Sequence, residues 1–185
     1  MNPQTKGNIK ILFWNCRNIN NKKPELLKTS PEYDIIICVE TWLNPKLSFS
    51  IPGFQIIRKD RTNHRGGGIA ILLKQHFNWT PISDINIDDK ITETLTVKIN
   101  TGTQQLTLCA CYRPPSAEFR QDKWNHLLRN NRQDPFILAG DFNCHHEAWN
   151  CRISSIPGER LLQTIEENDC AIHNTDTTTY VGRFN

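Results

Sequence analysis

The sequence predicts an α/β domain with mixed sheets, and three observations carry that expectation. Continuous apolar runs of strand length, Asp34-Ile35-Ile36-Ile37-Cys38-Val39 and Phe136-Ile137-Leu138-Ala139-Gly140, read as strands buried on both faces. Elsewhere the pattern alternates: Leu95, Val97 and Ile99 interleave with Thr94, Thr96 and Lys98, and Leu106, Leu108 and Ala110 with Thr107, Cys109 and Cys111, with residues 100–103 as the turn of a hairpin. Two further stretches carry helical spacing, Trp124, Leu127 and Leu128 in one and Leu161, Leu162 and Ile165 in the other. Strands and helices that interleave in this way pack as layers around one core.

Taken in chain order, the first strand is expected at residues 9–14, ending in Asn15-Cys16-Arg17-Asn18, with a short helix around 24–28. The buried run from Asp34 stops at Glu40. Strands at 54–58 and 69–73 follow, joined through His64-Arg65-Gly66-Gly67-Gly68, whose glycine triplet permits a tight connection. After the hairpin comes a helix over 118–130, then the run that delivers Asp141-Phe142-Asn143. A second helix begins near Pro157-Gly158 and a short strand is expected at Ala171-Ile172-His173. No repeat or linker divides the chain, so residues 1–185 are read as one domain.

Composition excludes several classes. With 37% hydrophobic and 22% charged residues the chain is neither a disordered polar tract nor a fibrous repeat. No run approaches the roughly 20 apolar residues of a membrane span, and residues 1–10 lack the apolar stretch of a secretory signal. An intracellular setting, cytosolic or nuclear, with no membrane partner is the expectation. It suits seven cysteines, an odd number, of which Cys16, Cys38 and Cys109 lie in apolar runs as reduced thiols would. Net charge is only +3, but residues 1–80 hold 12 basic and 5 acidic side chains and residues 81–185 hold 10 and 14. A basic front fits phosphate contact, although a solvated surface produces the same imbalance.

Several predicted strands end in polar tips: Asn15, Glu40, Tyr112, Asp141 and Asn143. A rigid sheet that sets such tips along one rim is a common way to build a site. A single glutamate after a strand is more often a solvated strand end. The Asp141-Phe142-Asn143 triplet is more specific, since Asp and Asn at i and i+2 aim to one side, with an Asx-turn as its structural counterpart.

Five motifs in order then resemble one family: Trp14-Asn15-Cys16-Arg17, Val39-Glu40-Thr41-Trp42-Leu43, Gly66-Gly67-Gly68-Ile69-Ala70, Cys111-Tyr112-Arg113-Pro114-Pro115 and Gly140-Asp141-Phe142-Asn143. The chain resembles the exonuclease-endonuclease-phosphatase superfamily of metal-dependent phosphodiesterases. Tyr-Arg-Pro-Pro together with the run from Gly140 to Trp149, and the later Thr179-Tyr180, look most like the apurinic-endonuclease-like domain of non-LTR retrotransposons. The resemblance implies an α/β sandwich of two mixed β-sheets flanked by helices, the DNase I-like fold. It also implies an Mg2+-dependent endonuclease, with Mn2+ as the alternative ion, acting on DNA to prime reverse transcription. A reverse transcriptase domain in a longer parent protein would be its partner.

Carried over residue by residue, the resemblance makes Glu40 the metal ligand, with Asn15 beside it as neutral ligand or hydrogen-bond donor. It makes Asp141 the carboxylate that orients or deprotonates the attacking water, with Asn143 fixing that water or the phosphate. Tyr112 would donate its phenol to a phosphate oxygen. Arg113, Arg61, His145 and His146 would contact DNA. A zinc site built from Cys144, His145, His146 and Cys151, with His173 and the Cys109-x-Cys111 pair, competes for His145 and His146, but the spacing lacks the paired ligands of structural zinc sites. In the family, the segment after Thr179-Tyr180 leads to a Ser-x-Ile-Asp aspartate and a terminal Ser-Asp-His, and neither occurs before Asn185. The expectation is a domain incomplete at its C-terminus, lacking the last strands, poorly stable and inactive alone. Two rivals stand beside the endonuclease: an inactive DNA-binding remnant, and a phosphatase on a phosphoinositide or nucleotide.

Overall fold

A computed structural model describes residues 8–62, 66–82, 87, 91–129 and 134–174. Its elements in chain order are β1 (Ile11–Asn15), α1 (Ile19–Thr29), β2 (Ile35–Val39), β3 (Phe54–Lys59), β4 (Ile69–Lys74), β5 (Asn78–Ile82), β6 (Glu93–Asn100), β7 (Gln105–Tyr112), α2 (Gln121–Arg129), β8 (Phe136–Asp141) and α3 (Ile156–Glu167). The strands form two mixed sheets, ordered β1-β2-β4-β3 and β5-β6-β7-β8. In the first, β1 runs parallel to β2, and β4 pairs antiparallel with both β2 and β3. The second repeats the arrangement in reverse chain order: β8 runs parallel to β7, and β6 pairs antiparallel with β7 and β5. This is the α/β sandwich of two mixed sheets expected from the sequence.

Side-chain alternation explains the layers. Along β2, Ile35, Ile37 and Val39 enter the core between the sheets, where they meet Val97, Ile99, Leu108, Ala110 and Tyr112. Ile36 and Cys38 point the other way, toward Ile19 and Leu26 of α1. On the second sheet, Cys109 and Cys111 face Trp124, Leu127 and Leu161 of α2 and α3. None of the seven cysteines is in a disulfide and five of them are buried, and burial pushes the Cys109 thiol up to about 11. The Cys16–Cys38 hydrogen bond and burial together raise Cys38 well above the ordinary thiol value, so these groups pack as small apolar residues.

Four elements differ from expectation. Helix α1 begins at Ile19, where Asn18 caps it by accepting from the Asn20 N–H, and tolerates Pro24 inside it. The edge strand β5, Asn-Trp-Thr-Pro-Ile, escapes a hydrophobicity reading because it is largely exposed and holds Pro81, which an edge strand accommodates. Strand β8 was expected to be buried on both faces, yet as an edge it is half-exposed, with Ile137 at 36%. Residues 171–173 form no strand and are exposed. His64, Arg65 and Thr179-Tyr180 lie outside the described residues. No helix among the described residues is long and apolar enough to cross a membrane.

Candidate active site

The two parallel pairs, β1 with β2 and β8 with β7, pack across the sandwich from each other. Their carboxyl ends carry Asn15, Glu40, Asp141 and Tyr112. Asn15 draws them together: its Nδ2 donates to Glu40 Oε1 at 2.7 Å and to Asp141 Oδ2 at 2.7 Å. One neutral amide thus joins carboxylates separated by 101 positions in the chain, one from each sheet. Asn15 Oδ1 accepts from the Arg17 N–H at 3.3 Å, which sets the amide with its donors toward the carboxylates.

The Asp141-Phe142-Asn143 triplet divides its side chains between core and rim. Phe142 meets Trp124 edge-on at 5.4 Å between ring centroids, and Trp124 stacks on Phe119 at 5.1 Å. Anchoring Phe142 inward turns its two neighbours toward the rim. The Asn143 N–H donates to Asp141 Oδ1 at 3.3 Å, an Asx-type closure, and Asn143 Nδ2 donates to the Arg113 carbonyl at 2.8 Å. The structural and functional readings of the triplet are therefore compatible. One oxygen of Asp141 is held by Asn143 and the other by Asn15.

Tyr112 ends β7 on its inter-sheet face and is 8% exposed. Burial, then the charge of Glu40 and the hydrogen bond to it, then Asp141, push its phenol up to about 12, against a smaller opposing effect of Arg61. It remains a proton donor throughout the neutral range. Since the ordinary phenol value of 10.0 lies below the folded one, its contribution to stability is fully present below about pH 10 and is lost as pH rises through about 12. Tyr112→Phe is expected to remove that part of the alkaline fall, read as the difference between the unfolding curves of the two proteins. Identical pH dependence would show that the phenol is unperturbed.

Strain concentrates at the same rim. Arg17, Asn18, Glu40, Trp42 and Asn143 all have positive φ, and the only other described non-glycine residues that do are Asn150 and Asp169. Left-handed backbone in non-glycine residues collects where a site dictates it. Backbone hydrogen bonds hold it here, from Cys16 N–H to the Val39 carbonyl, Asn18 N–H to Glu40 and Ile19 N–H to Thr41, at 2.9, 2.9 and 3.0 Å. Gly67 and Gly68 support the corner from behind at φ +70 and +85. A Cβ on Gly68 would lie 2.5 Å from Thr41 Oγ1, and one on Gly67 would lie 2.4 Å from the Arg61 guanidinium.

Glu93 is the member of this region that the sequence did not single out. It opens β6 directly opposite Tyr112, and its carboxylate receives Arg61 Nε at 2.6 Å and the Gly68 N–H at 2.8 Å. The only signal available was an acidic residue at the start of an alternating strand, which reads as a solvated end. Arg61 is thereby committed to Glu93 and lies 5.9 Å from the Tyr112 ring, a second layer behind the phenol.

One expected DNA contact is corrected, and a second has partners within the protein. Arg113 is 2% exposed. Its guanidinium donates to the carbonyls of Phe142, Asn143 and Ala117, so it braces the Asp141 loop from inside and does not reach a phosphate at the surface. His146 accepts the Ala148 N–H at Nδ1 and meets Glu159 through Nε2 at 3.2 Å, which ties it to the start of α3. His145 remains exposed, with Nδ1 3.7 Å from Cys151 Sγ. No three of His, Cys, Asp and Glu gather at metal-binding geometry among the described residues, so the cysteine–histidine set is not assembled as a zinc site.

Glu40 and Asp141 bring two carboxylates to one rim, and Mg2+ takes one or two carboxylates and fills its remaining positions with water and substrate phosphate. Asn15 turns its amide nitrogen toward them and its oxygen toward the Arg17 N–H, so it acts here as a hydrogen-bond donor to the carboxylates and is not placed as a ligand.

A family model described as Endonuclease-reverse transcriptase matches residues 106–183. Among curated proteins, the RNA-directed DNA polymerase from mobile element jockey of Drosophila melanogaster is 24% identical over 164 residues, covering 87% of this chain and 18% of its own length. The probable RNA-directed DNA polymerase from transposon BS of the same organism is 26% identical over 187 residues, covering 97% and 19%. The chain thus spans less than a fifth of either relative. Among solved structures, the endonuclease domain of TRAS1, a telomere-specific non-LTR retrotransposon, aligns over 91% of this chain and 74% of that one, with a TM-score of 0.71 at 16% identity. That likeness establishes a common fold.

Proposed function

Because the chain has the fold of the exonuclease-endonuclease-phosphatase superfamily and is related in sequence to retrotransposon endonuclease-reverse transcriptases, we propose that it is a metal-dependent phosphodiesterase domain that nicks DNA for target-primed reverse transcription. The observation that carries this reading is the Asn15 amide joining Glu40 and Asp141 at one rim. In it, Glu40 would hold Mg2+, or Mn2+ in its place, and Asn15 keeps the two carboxylates in register. When bound, the divalent ion offsets charge that grows on the phosphate. Asp141, fixed at both oxygens, takes a proton from the attacking water as the water oxygen bonds to phosphorus. The P–O3′ bond breaks, and O3′ takes a proton from solvent and leaves as the hydroxyl that a polymerase extends. The Tyr112 phenol donates to a phosphate oxygen, where charge develops. A DNA substrate and a reverse transcriptase in the same longer protein imply a nuclear setting.

The test uses residues 1–185, alone and extended through the family's Ser-Asp-His segment, on supercoiled plasmid. Open circles that form with Mg2+ and stop on chelation are the expected result in the extended form at least. Duplex affinity of the chain should fall steeply between about 50 and 200 mM salt, since phosphate contacts release counterions. Absence of nicking in both forms, with salt-insensitive binding, would sink the reading and favour a small-molecule phosphatase. Salt-sensitive binding without nicking in either form would leave a DNA-binding remnant.

A further inference from the structure

Trp42 lies two residues beyond Glu40 and has no part in the chemistry described above. It is 37% exposed, whereas Trp14, Trp79 and Trp149 are half-buried and Trp124 is buried. Apolar packing does not account for its position. In the segment that follows β2, Thr41 and Leu43 are 0% and 2% exposed, while Glu40 is half-buried and Trp42 exposed. Thr41 Oγ1 accepts the Leu43 N–H, which locks this alternation.

The backbone gives an independent indication. Trp42 has φ +56, a conformation in which a bulky residue is a true outlier. It is held there by its own N–H, which donates to the Gly67 carbonyl at 2.9 Å, and by the Thr41 N–H, which donates to Gly68 at 3.2 Å. Gly66 lies beside the indole, where a Cβ would make ordinary van der Waals contact at 3.6 Å from Nε1. The same corner is laced to the end of β1 through Asn18 and Ile19. The backbone that carries the ring is therefore held by hydrogen bonds, the ring itself is exposed, and it lies two residues from the proposed metal ligand. A flat apolar face of this kind suits a flat aromatic partner, and a backbone already held loses little conformational entropy when that partner binds.

We propose that Trp42 is a stacking platform for a nucleobase beside the phosphate engaged at Glu40. The inference rests on the DNA reading above and adds to it a contact to a base where the other assigned contacts go to phosphate. Such a platform takes a base that has left the duplex stack and orients the strand across the rim without reading its sequence, since every unstacked base offers a π-face.

The experiment measures binding by residues 1–185, with Ca2+ in place of Mg2+, to duplexes carrying 2-aminopurine at successive positions, for the parent chain, Trp42→Ala and Trp42→Phe. The parent should show a fluorescence change confined to one or two adjacent positions. Trp42→Ala should abolish that change and weaken affinity about 5- to 100-fold with the salt slope unaltered, and Trp42→Phe should retain most of both. A parent chain that binds duplex in a salt-dependent way but shows no position-specific signal, or a Trp42→Ala chain that keeps parent signal and affinity, overturns the platform alone. A Trp42→Phe chain that behaves like Trp42→Ala in melting and binding also overturns it, because the residue would then be structural. No salt-dependent binding by the parent would overturn the DNA reading itself, and the platform with it.

Discussion

Asp141→Asn is expected to lower nicking by the extended chain about 10²- to 10⁴-fold, the range that general-base steps contribute, while duplex affinity is preserved. The substitution keeps the shape of the side chain and removes its charge. Asp141 accepts from Asn15 Nδ2 through one oxygen and from the Asn143 N–H through the other, and an amide can satisfy only one of the two. With its oxygen toward Asn143, its NH2 opposes the Asn15 amide, donor against donor, so the Asn15 bridge to this carboxylate opens while the bridge to Glu40 remains. Both consequences act on the chemical step, since neither removes a phosphate contact of the basic first half. Plasmid nicking rates and a parallel binding isotherm separate the two effects. A variant that nicks at the parent rate would show that Asp141 neither orients nor deprotonates the water. A variant that loses binding in step with rate would make Asp141 a structural residue.

Much of this rim is legible in the sequence because strands impose a strict period. The unbroken run Ile35–Val39 has to be covered on both faces, and it is. A polar residue directly after it has nowhere to go except a sheet end, so Glu40 could be placed without knowledge of its partners. The same holds for Asn15 after β1 and Asp141 at the end of β8. Glu93 was illegible for the opposite reason. Its role depends on register, which sets it across from Tyr112, and on the fold of the 60–68 segment, which brings Arg61 and Gly68 to it. Neither is encoded near Glu93 itself.

Arg113 and His146, which read as surface cations, share the reason for their local partners. An arginine beside two prolines, or a histidine in a polar loop, reads as a surface cation because most such residues are solvated. What reverses this is the demand of nearby backbone for hydrogen bonds. The Asp141 loop leaves the carbonyls of Phe142 and Asn143 pointing inward, and Arg113 is the donor that reaches them. His146 likewise caps the 3-10 turn at Glu147–Trp149. Unsatisfied carbonyls in a turn are invisible until the turn is built, whereas apolar periodicity is visible at once. The exposed segment 171–173 shows the converse, an apolar pair too short and too open to form a strand.

Arg113→Ala is expected to destabilise the fold by about 3 kcal/mol, because it removes a charged donor from three carbonyls, that of Ala117 buried and those of Phe142 and Asn143 partly so. In a domain of this size that corresponds to a drop in melting temperature of about 6–12 °C. The guanidinium makes its bonds to Phe142, Asn143 and Ala117 from a position 2% exposed. It also lies 5.9 Å from the Phe119 ring, so it joins the Asp141 loop to the aromatic stack under α2. Its Nε has no acceptor among the described residues, yet the two terminal nitrogens together serve three carbonyls. Arg113→Lys keeps the charge but offers no planar fork to bridge them, and should recover only part of the loss. The salt dependence of duplex binding discriminates between brace and contact. A residue that touches phosphate would change the slope of log affinity against log salt by about one when removed and leave the melting temperature nearly unchanged. The structure gives the reverse expectation: a large fall in melting temperature with an unaltered slope in whatever fraction remains folded. If Arg113→Ala melts with the parent and flattens the salt dependence, the buried guanidinium is misplaced and the surface reading of the Tyr-Arg-Pro-Pro motif is restored.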